Sequence, residues 1–173
     1  MTSLDSTKRS MRRAYVIGFF ALVLFIALGF YLSPLKPSIL ALQFTFTEAA
    51  FHAVLGKWQP SGISLYRSHF PVDFVLLALY GILGFVFGKA FSASRQVTEG
   101  NAQILAWSLP VAATADAAEN VMHLFLTESQ PNQAQALYAI AGVAASVKWL
   151  AFIAFAFSAY AASRQVQLVK VDY

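Results

Sequence analysis

The residues with the greatest capacity for chemistry lie in the stretch "TADAAENVMH", residues 114–123, inside an otherwise apolar segment. This stretch carries Asp116, Glu119, Asn120 and His123. At about 100° per residue, these four positions fall within an arc of roughly 100°, so a helix would present them on one face. Carboxylates, an amide and an imidazole on one face can hold a proton, bind a cation or act as general acid and base.

The composition indicates a membrane environment. Of 173 residues, 58% are hydrophobic and only 12% are charged, and the mean hydropathy is +0.61. A soluble domain needs more charge than this to cover its surface. The sequence contains no cysteine, which excludes disulfides, thiolate metal sites and thiol redox chemistry.

Four apolar segments are long enough to cross a bilayer, because about 20 helical residues at 1.5 Å each cover a hydrocarbon core of ~30 Å. The predicted spans are residues 13–32, 71–91, 104–126 and 137–161. The third is the least apolar, since each central carboxylate costs roughly 2.5 to 3.5 kcal/mol on insertion scales. We therefore predict an all-α integral membrane protein, a four-transmembrane-helix bundle that forms a single membrane domain over residues 1–173.

Basic residues predict the orientation of this bundle. If the four spans alternate, eight basic residues fall on one side and three on the other. The larger group comprises Lys8, Arg9, Arg12, Arg13, Lys89, Arg95, Arg164 and Lys170, and the smaller group Lys36, Lys57 and Arg67. Because positive residues favour the cytoplasmic side, both termini are predicted to be cytoplasmic. We expect a multi-pass protein of the plasma membrane, specifically a bacterial inner membrane.

The long connection over residues 33–70 is predicted to be a structured outer loop. Thr45 and Glu48 have the spacing of a capping box, which predicts a short helix that begins near Thr45. Gly56 is a plausible end for that helix. Glu48 and His52 on this helix, together with Asp73 at the start of the second span, are candidate outer-loop contributors to a site. The alternative for Asp73 is that a carboxylate in a first helical turn favours the helix dipole.

Depth in the bilayer predicts which residues meet the polar face. Counted from the outer ends of their spans, Asp116 and Lys148 each lie about 15 Å deep at ~1.5 Å per residue, so they can pair. Tyr80 on the second span reaches the same level. Glu119 and then His123 continue toward the outer surface. The predicted result is a polar ladder that opens outward.

The charges on this ladder do not balance. Asp116 and Glu119 face a single ammonium group on Lys148, and an uncompensated charge inside a membrane is costly. The balance can come from a proton shared by the carboxylates, from a protonated His123 or from a bound cation. The structural alternative is that the polar contacts only fix which helices associate.

Other polar and small residues receive simpler interpretations. Arg67 and His69 are expected to be solvated loop residues. The small residues of spans two and four are predicted to be faces for close helix packing. These residues are Gly81, Gly84, Gly88, Ala141, Gly142, Ala145 and Ser146.

A repeated Glu-x-x-x-His pattern raises the hypothesis of a divalent metal cofactor. Glu48 with His52 and Glu119 with His123 each have i,i+4 spacing, which places both side chains on one helix face. Oxygen and imidazole ligands suit zinc, iron or manganese. The pattern matches neither the Glu-x-x-His of di-iron bundles nor the two histidines of zinc proteases, so the signal is weak.

Three function classes follow from these residues. The first is a membrane protein, carrier-like, whose buried polar site binds a small molecule, a proton or a cation. The second is a membrane-embedded enzyme that acts on a lipid or amphiphile by carboxylate and histidine acid-base chemistry or with a metal. The third is a structural or assembly protein. The expected partners are the lipid bilayer and a second copy or another membrane protein, and no motif predicts nucleic-acid binding.

Overall fold

All regular structure in the described part of the chain is helical. The computed structural model describes residues 3–94, 97–128 and 134–171, with side chains described from residue 9 onward except at residues 94 and 166–171. Within these ranges there is no strand. The six helices are α1 (Ser3–Tyr31), α2 (Ile39–Gln43), α3 (Glu48–Ser68), α4 (Phe70–Ser94), α5 (Glu99–Leu126) and α6 (Gln135–Val171). The all-α prediction is confirmed. Three of the four predicted spans lie within one long helix each, and the first ends one residue beyond α1.

Three of the described helices are long and apolar enough to cross a membrane. They are the segments Arg9–Tyr31, Phe70–Ala93 and Gln135–Gln165 of α1, α4 and α6. The chain therefore has the character of a membrane protein. α5 contains the third predicted span. By the same criterion of length and apolar composition, it is not a candidate span. Its polar residues 114–123 lower its hydropathy, as the sequence already indicated.

The segment between α1 and α4 is more helical than predicted, and its first cap is a different residue. Thr47, rather than Thr45, caps α3, because its hydroxyl accepts a hydrogen bond from the backbone N–H of Ala50 at 3.3 Å. The Thr45 hydroxyl instead donates to the carbonyl of Leu42. The predicted short helix is present as the first piece of α3, but it continues past Gly56 and breaks at Gln59.

α3 is broken at Gln59, where φ is 58° and ψ is 173°. The cause is Pro60, which lacks a backbone N–H and disfavours helical geometry in the residue before it. α3 thus consists of two helical pieces that meet at Gln59.

The chain forms two compact units. The first unit comprises residues 1–22, 78–113 and 149–173, and the second comprises residues 23–77 and 114–148. The prediction of a single domain stays a prediction. In the first unit, a Cβ atom on Gly84 would lie 2.6 Å from Cβ of Leu109, and one on Gly88 would lie 2.3 Å from the backbone nitrogen of Ala106. The predicted packing role of the α4 glycines is thus confirmed.

The second unit has an apolar core around α3. Its buried members are Leu32, Leu35, Leu42, Phe51, Val54, Leu55, Trp58, Tyr66, Phe70, Leu126, Tyr138 and Ala141. Gly142 of α6 packs against the start of the connection, since a Cβ atom there would lie 2.7 Å from the Thr45 carbonyl oxygen and from the Phe46 ring. This core holds α3 against the part of α5 that carries the polar residues.

Some of the basic residues used to predict orientation lie outside the described residues. Arg95 is one of them. The side chains of Lys8 and Lys170 are also not described. The inside and outside assignment therefore stays a prediction.

Candidate functional site

The centre of the site is an ion cluster that joins α5 to α6 within the second unit. Lys148 Nζ donates to Oδ1 of Asp116 at 3.0 Å and to Oε2 of Glu119 at 2.5 Å. The two carboxylates lie one turn apart on α5, so one ammonium group can reach both. Asp116, Glu119 and Lys148 are 8%, 0% and 3% exposed. The predicted pairing of Asp116 with Lys148 is therefore present, and Lys148 also binds Glu119.

A second contact joins α5 to the first turn of α4. Asn120 Nδ2 donates to Oδ2 of Asp73 at 2.6 Å. Asn120 is buried, and Asp73 is half-buried. Asp73 lies in the first turn of α4, where a carboxylate interacts favourably with the helix dipole. Its contact with Asn120 also makes it part of the polar cluster. It brings a third carboxylate to a group that contains one lysine.

A third contact joins α5 to α3. The Tyr66 hydroxyl and Nδ1 of His123 are 2.6 Å apart, and both residues are buried. Burial of a charged imidazole near the Lys148 ammonium would be costly, so we assign the neutral ring. In that state the tautomer decides the donor: either the Tyr66 hydroxyl donates to Nδ1, or Nδ1–H donates to the hydroxyl oxygen.

His123 lies beneath aromatic rings of α3 rather than at an outer opening. Its ring centroid is 5.5 Å from that of Phe51 and 6.0 Å from that of Tyr66. His123 itself is only 1% exposed. α3 packs over the His123 end of the ladder, so the expectation that the ladder opens outward stays a prediction.

Glu119 has one oxygen without a hydrogen bond. Its Oε2 accepts from Lys148, whereas its Oε1 is buried and has no hydrogen-bond partner among the described residues. Nδ1 of His123 lies 3.8 Å from Oε1, which is beyond hydrogen-bond distance, and the neutral ring carries no charge. The contact between Glu119 and His123 is therefore not an ion pair.

Such an oxygen is costly in a native structure. A buried acceptor without a hydrogen bond costs about 1 to 3 kcal/mol, and more when it is charged. A bound proton or a cation at Oε1 would remove that cost. The unpartnered oxygen makes Glu119 the strongest candidate ligand-binding residue of the cluster.

His69 lies beside this cluster and is buried, contrary to the expectation of a solvated loop residue. It is 5% exposed, and its Nδ1–H donates to the carbonyl of Tyr66. Its ring lies 4.4 Å from that of Phe70 and 4.9 Å from that of Tyr66. Burial lowers the pKa of His69 from its usual value, although the Tyr66 carbonyl and Asp116 oppose that effect. His69 is therefore a neutral histidine.

Arg67 also departs from the expectation of a solvated residue, because its guanidinium binds the end of α5. It donates to the Leu124 carbonyl at 2.8 Å and to the Thr127 hydroxyl at 2.7 Å. It also pairs with Glu128 at 3.3 Å. Arg67 thus fastens the end of α3 to the helix that carries the site.

The pKa of Tyr66 reports the electrostatics of the cluster. Burial raises this pKa well above the usual value, and the negative charges of Glu119, Asp73 and Asp116 raise it further. Tyr66 therefore keeps its proton. Its hydroxyl is available as the donor to His123.

The place of Tyr80 in the site stays a prediction, and its ring lies 5.1 Å from that of Phe152 in the first unit. Two other candidate residues do not join the cluster. Glu48 and His52 are exposed on α3, and Nε2 of His52 lies 3.2 Å from the hydroxyl of Tyr138.

The metal hypothesis finds no complete ligand set in the described ranges. Within them, no group of three or more histidine, aspartate or glutamate side chains is arranged to hold a metal ion. Of the two Glu-x-x-x-His pairs, Glu119 with His123 is in the cluster, and Glu48 with His52 is on the surface of α3.

Comparison with protein-family models, with curated proteins and with solved structures yields no match for this chain. The geometry of the site is therefore the basis for its proposed function.

Sequence reasoning missed two members of the site, Tyr66 and His69. Both lie in the long connection between predicted spans one and two, where His69 was expected to be solvated and Tyr66 was given no role. A signal was present: Tyr66, His69 and Phe70 have i,i+3 and i,i+4 spacing, which places three rings on one helix face. An aromatic face in an outer segment indicates packing against the bundle.

Proposed function

We propose that this chain is a membrane protein, carrier-like, whose buried polar cluster binds and exchanges a proton or a small cation at Glu119. The observation that carries the proposal is the buried Oε1 atom of Glu119, which has no hydrogen-bond partner among the described residues. The other oxygen of the same carboxylate is bound by Lys148. One half of Glu119 is thus held in place, and the other half is available to a ligand.

The charge count supports a cationic ligand. Asp73, Asp116 and Glu119 would carry three negative charges when ionised, against one ammonium group on Lys148. His69 stays neutral, and the proposed state of His123 is neutral as well. A buried surplus of negative charge is stabilised by a proton or a cation, and an anionic ligand would increase it.

Each residue has a role in this proposal. Glu119 binds the ligand, and Lys148 positions its carboxylate. Tyr66 and His123 form a hydrogen-bonded pair beside Oε1 that can accept or return a proton. Phe51 and Tyr66 cover the cluster, so exchange requires movement of α3, and the break at Gln59 is a natural place for that movement.

The proposal includes α5 as a fourth span. Its polar face would be stabilised by the ion cluster with α6, so that it enters the membrane with its neighbours. Both termini would then be cytoplasmic, in the inner membrane of a bacterium. Labelling of single cysteines tests this in a sequence without native cysteine. Gly56→Cys should react from outside intact cells, and Ser92→Cys only after permeabilisation.

Two alternative functions remain, a structural role and an enzymatic one. A structural role is favoured by Lys148 itself, since a buried lysine with two carboxylates can fix how α5 and α6 associate. An enzyme acting on a lipid or amphiphile would use Glu119 or Asp116 as general acid and base, with His123 as the proton relay. Ligand-dependent stability without product formation distinguishes the proposal from both. A homo-oligomer or another membrane protein is the expected partner.

The test is a comparison of wild type, Glu119→Gln and Glu99→Gln in detergent. Glu99 is the matched control, because it is an exposed glutamate on the same helix. Thermal unfolding is followed from about pH 5 to pH 8, and then at fixed pH with Na⁺, K⁺, Mg²⁺ or Ca²⁺. A ligand at 100 times its Kd stabilises the folded state by about 2.7 kcal/mol.

We expect wild type and Glu99→Gln to share a dependence on proton or cation concentration that Glu119→Gln lacks. The same profile in all three proteins would contradict the proposal and leave the cluster with a structural role.

A further inference from the structure

A separate cavity lies between the end of α1 and the break in α3, within the second unit. Its volume is about 320 Å³, which is at the small end of the range for ligand sites. The lining residues are Pro34, Leu35, Lys36, Lys57, Trp58, Ser61, Gly62 and Leu65. None of the residues described above for the Glu119 cluster lines this cavity.

The cavity has an apolar inner wall and positively charged side chains at its opening. Leu35 and Trp58 are 3% and 5% exposed and form the inner wall. The indole N–H of Trp58 donates to the Pro37 carbonyl at 2.7 Å, so it is already satisfied. The hydrogen-bond donors that remain for a ligand are Lys36, Lys57 and Ser61.

No acidic side chain lines the cavity. Among the ion pairs of the described residues, none includes Lys36 or Lys57. Two ammonium groups and a hydroxyl around one opening, without a carboxylate, favour an anion. Phosphate oxygens accept hydrogen bonds from all three groups.

The position of the cavity indicates which anion is available. Pro34 and Leu35 follow directly after α1, whose membrane-capable segment ends at Tyr31. Residues just beyond the apolar end of a span lie at the level of the lipid headgroups. A phosphate at that level belongs to a phospholipid, and its acyl chains can follow the exposed apolar side chains of α1, such as Phe30 and Ile26.

We propose that this cavity binds the phosphate headgroup of an anionic phospholipid, with Lys36 and Lys57 as the charged contacts and Ser61 as a hydrogen-bond donor. Trp58 and Leu35 contact the glycerol region of the lipid. The site is independent of Glu119. Each lysine near an anionic membrane surface contributes about 1 kcal/mol, which corresponds to roughly fivefold in affinity.

The test uses the full chain in nanodiscs that contain equal amounts of phosphatidylglycerol and phosphatidylcholine. Lipid that remains bound after transfer to detergent is measured by native mass spectrometry. Four variants are compared with wild type: Lys36→Gln, Lys57→Gln, Ser61→Phe and Lys89→Gln. Ser61→Phe fills the cavity but keeps both lysines. Lys89→Gln is the matched control, because Lys89 is on α4 and lies over the Phe85 ring. Circular dichroism and the elution profile verify that each variant folds.

We expect wild type and Lys89→Gln to retain phosphatidylglycerol in preference to phosphatidylcholine. Each cavity lysine variant should lose about fivefold of this preference. Ser61→Phe should lose the preference as well. Three results would overturn the proposal: no preference in wild type, an unchanged preference in Ser61→Phe, or displacement of the lipid by millimolar inorganic phosphate. The second would indicate diffuse surface charge, and the third a site for free phosphate.

Discussion

Lys148 holds Glu119 by only one of its two carboxylate oxygens. The ammonium group lies 2.5 Å from Oε2, while Oε1 is buried and accepts no hydrogen bond from the described residues. A pair that served only to join two helices would be more stable with both oxygens satisfied. This asymmetry is the reason to regard the cluster as a binding site.

Loss of the lysine should be strongly destabilising. Lys148→Met removes the ammonium group and leaves Asp116 and Glu119 buried without their partner. Breaking a buried ion pair from one side costs about 3 to 5 kcal/mol. The free energy of unfolding in mixed micelles is the measurement. Lys89→Met, a lysine outside the cluster, is the control and should change it by less than about 1 kcal/mol.

The double variant Lys148→Met with Glu119→Gln checks the cause of that effect. Because the second change removes one uncompensated charge, the double variant should be more stable than Lys148→Met alone. Additive destabilisation would show that Lys148 and Glu119 do not interact energetically.

The helices and one central contact could be predicted from the sequence. Runs of apolar residues are local signals, so the four long helices were found with errors mainly at their ends. The pairing of Asp116 with Lys148 followed from depth alone, because an α-helix has a fixed rise per residue.

The covering of the site could not be predicted in the same way. The burial of Tyr66 and His69 depends on α3 packing against α5, a long-range contact. The aromatic spacing of residues 66, 69 and 70 indicates that this face packs, but it does not specify the helix against which it packs.

The hydrogen bond between Tyr66 and His123 should contribute measurably to stability. Tyr66→Phe keeps the ring but leaves Nδ1 of His123 buried without its hydrogen-bond partner, which costs about 1 to 3 kcal/mol. Tyr138→Phe is the matched control, because the Tyr138 hydroxyl contacts the exposed His52 and its loss can be compensated by water. Chemical denaturation of both variants compares them. Equal losses would contradict the assigned role of Tyr66.

Close packing at Gly142 gives a test of the second unit. In Gly142→Ala the new methyl group would lie 2.7 Å from the Thr45 carbonyl oxygen, so backbone must shift and the cost should be about 1 to 3 kcal/mol. Gly56→Ala is the control, since no atom lies within 4 Å of its Cβ position. Alanine is a better helix former, so this control should gain up to about 1 kcal/mol. Thermal unfolding of both variants is the measurement, and an unchanged Gly142→Ala would contradict the packing.

His69 should make the protein sensitive to acid. Its folded pKa is lowered by burial, with Asp116 and Lys148 acting in opposite directions, whereas its unfolded pKa is about 6.5. Above about pH 6.5 the His69 ring is neutral in both the folded and the unfolded protein. Below that pH the ring binds a proton in the unfolded chain more readily than in the folded protein. The stability that wild type has relative to His69→Gln should therefore fall as pH drops from about 7 to 5. A difference between the two proteins that is constant over this range would contradict the burial of a neutral His69.

The most direct measurement of the proposed site is the infrared spectrum of Glu119. A protonated carboxyl group has a carbonyl stretching band that an ionised carboxylate lacks, and the band shifts in D₂O. If Glu119 holds an exchangeable proton, wild type in cation-free buffer should show such a band that titrates with pH. The band should be absent in Glu119→Gln and present in the control Glu99→Gln. A small cation that binds at Oε1 should reduce the band when it is added. Identical spectra for wild type and Glu119→Gln at every pH and with every cation would contradict the central claim that Glu119 is the ligand-binding group.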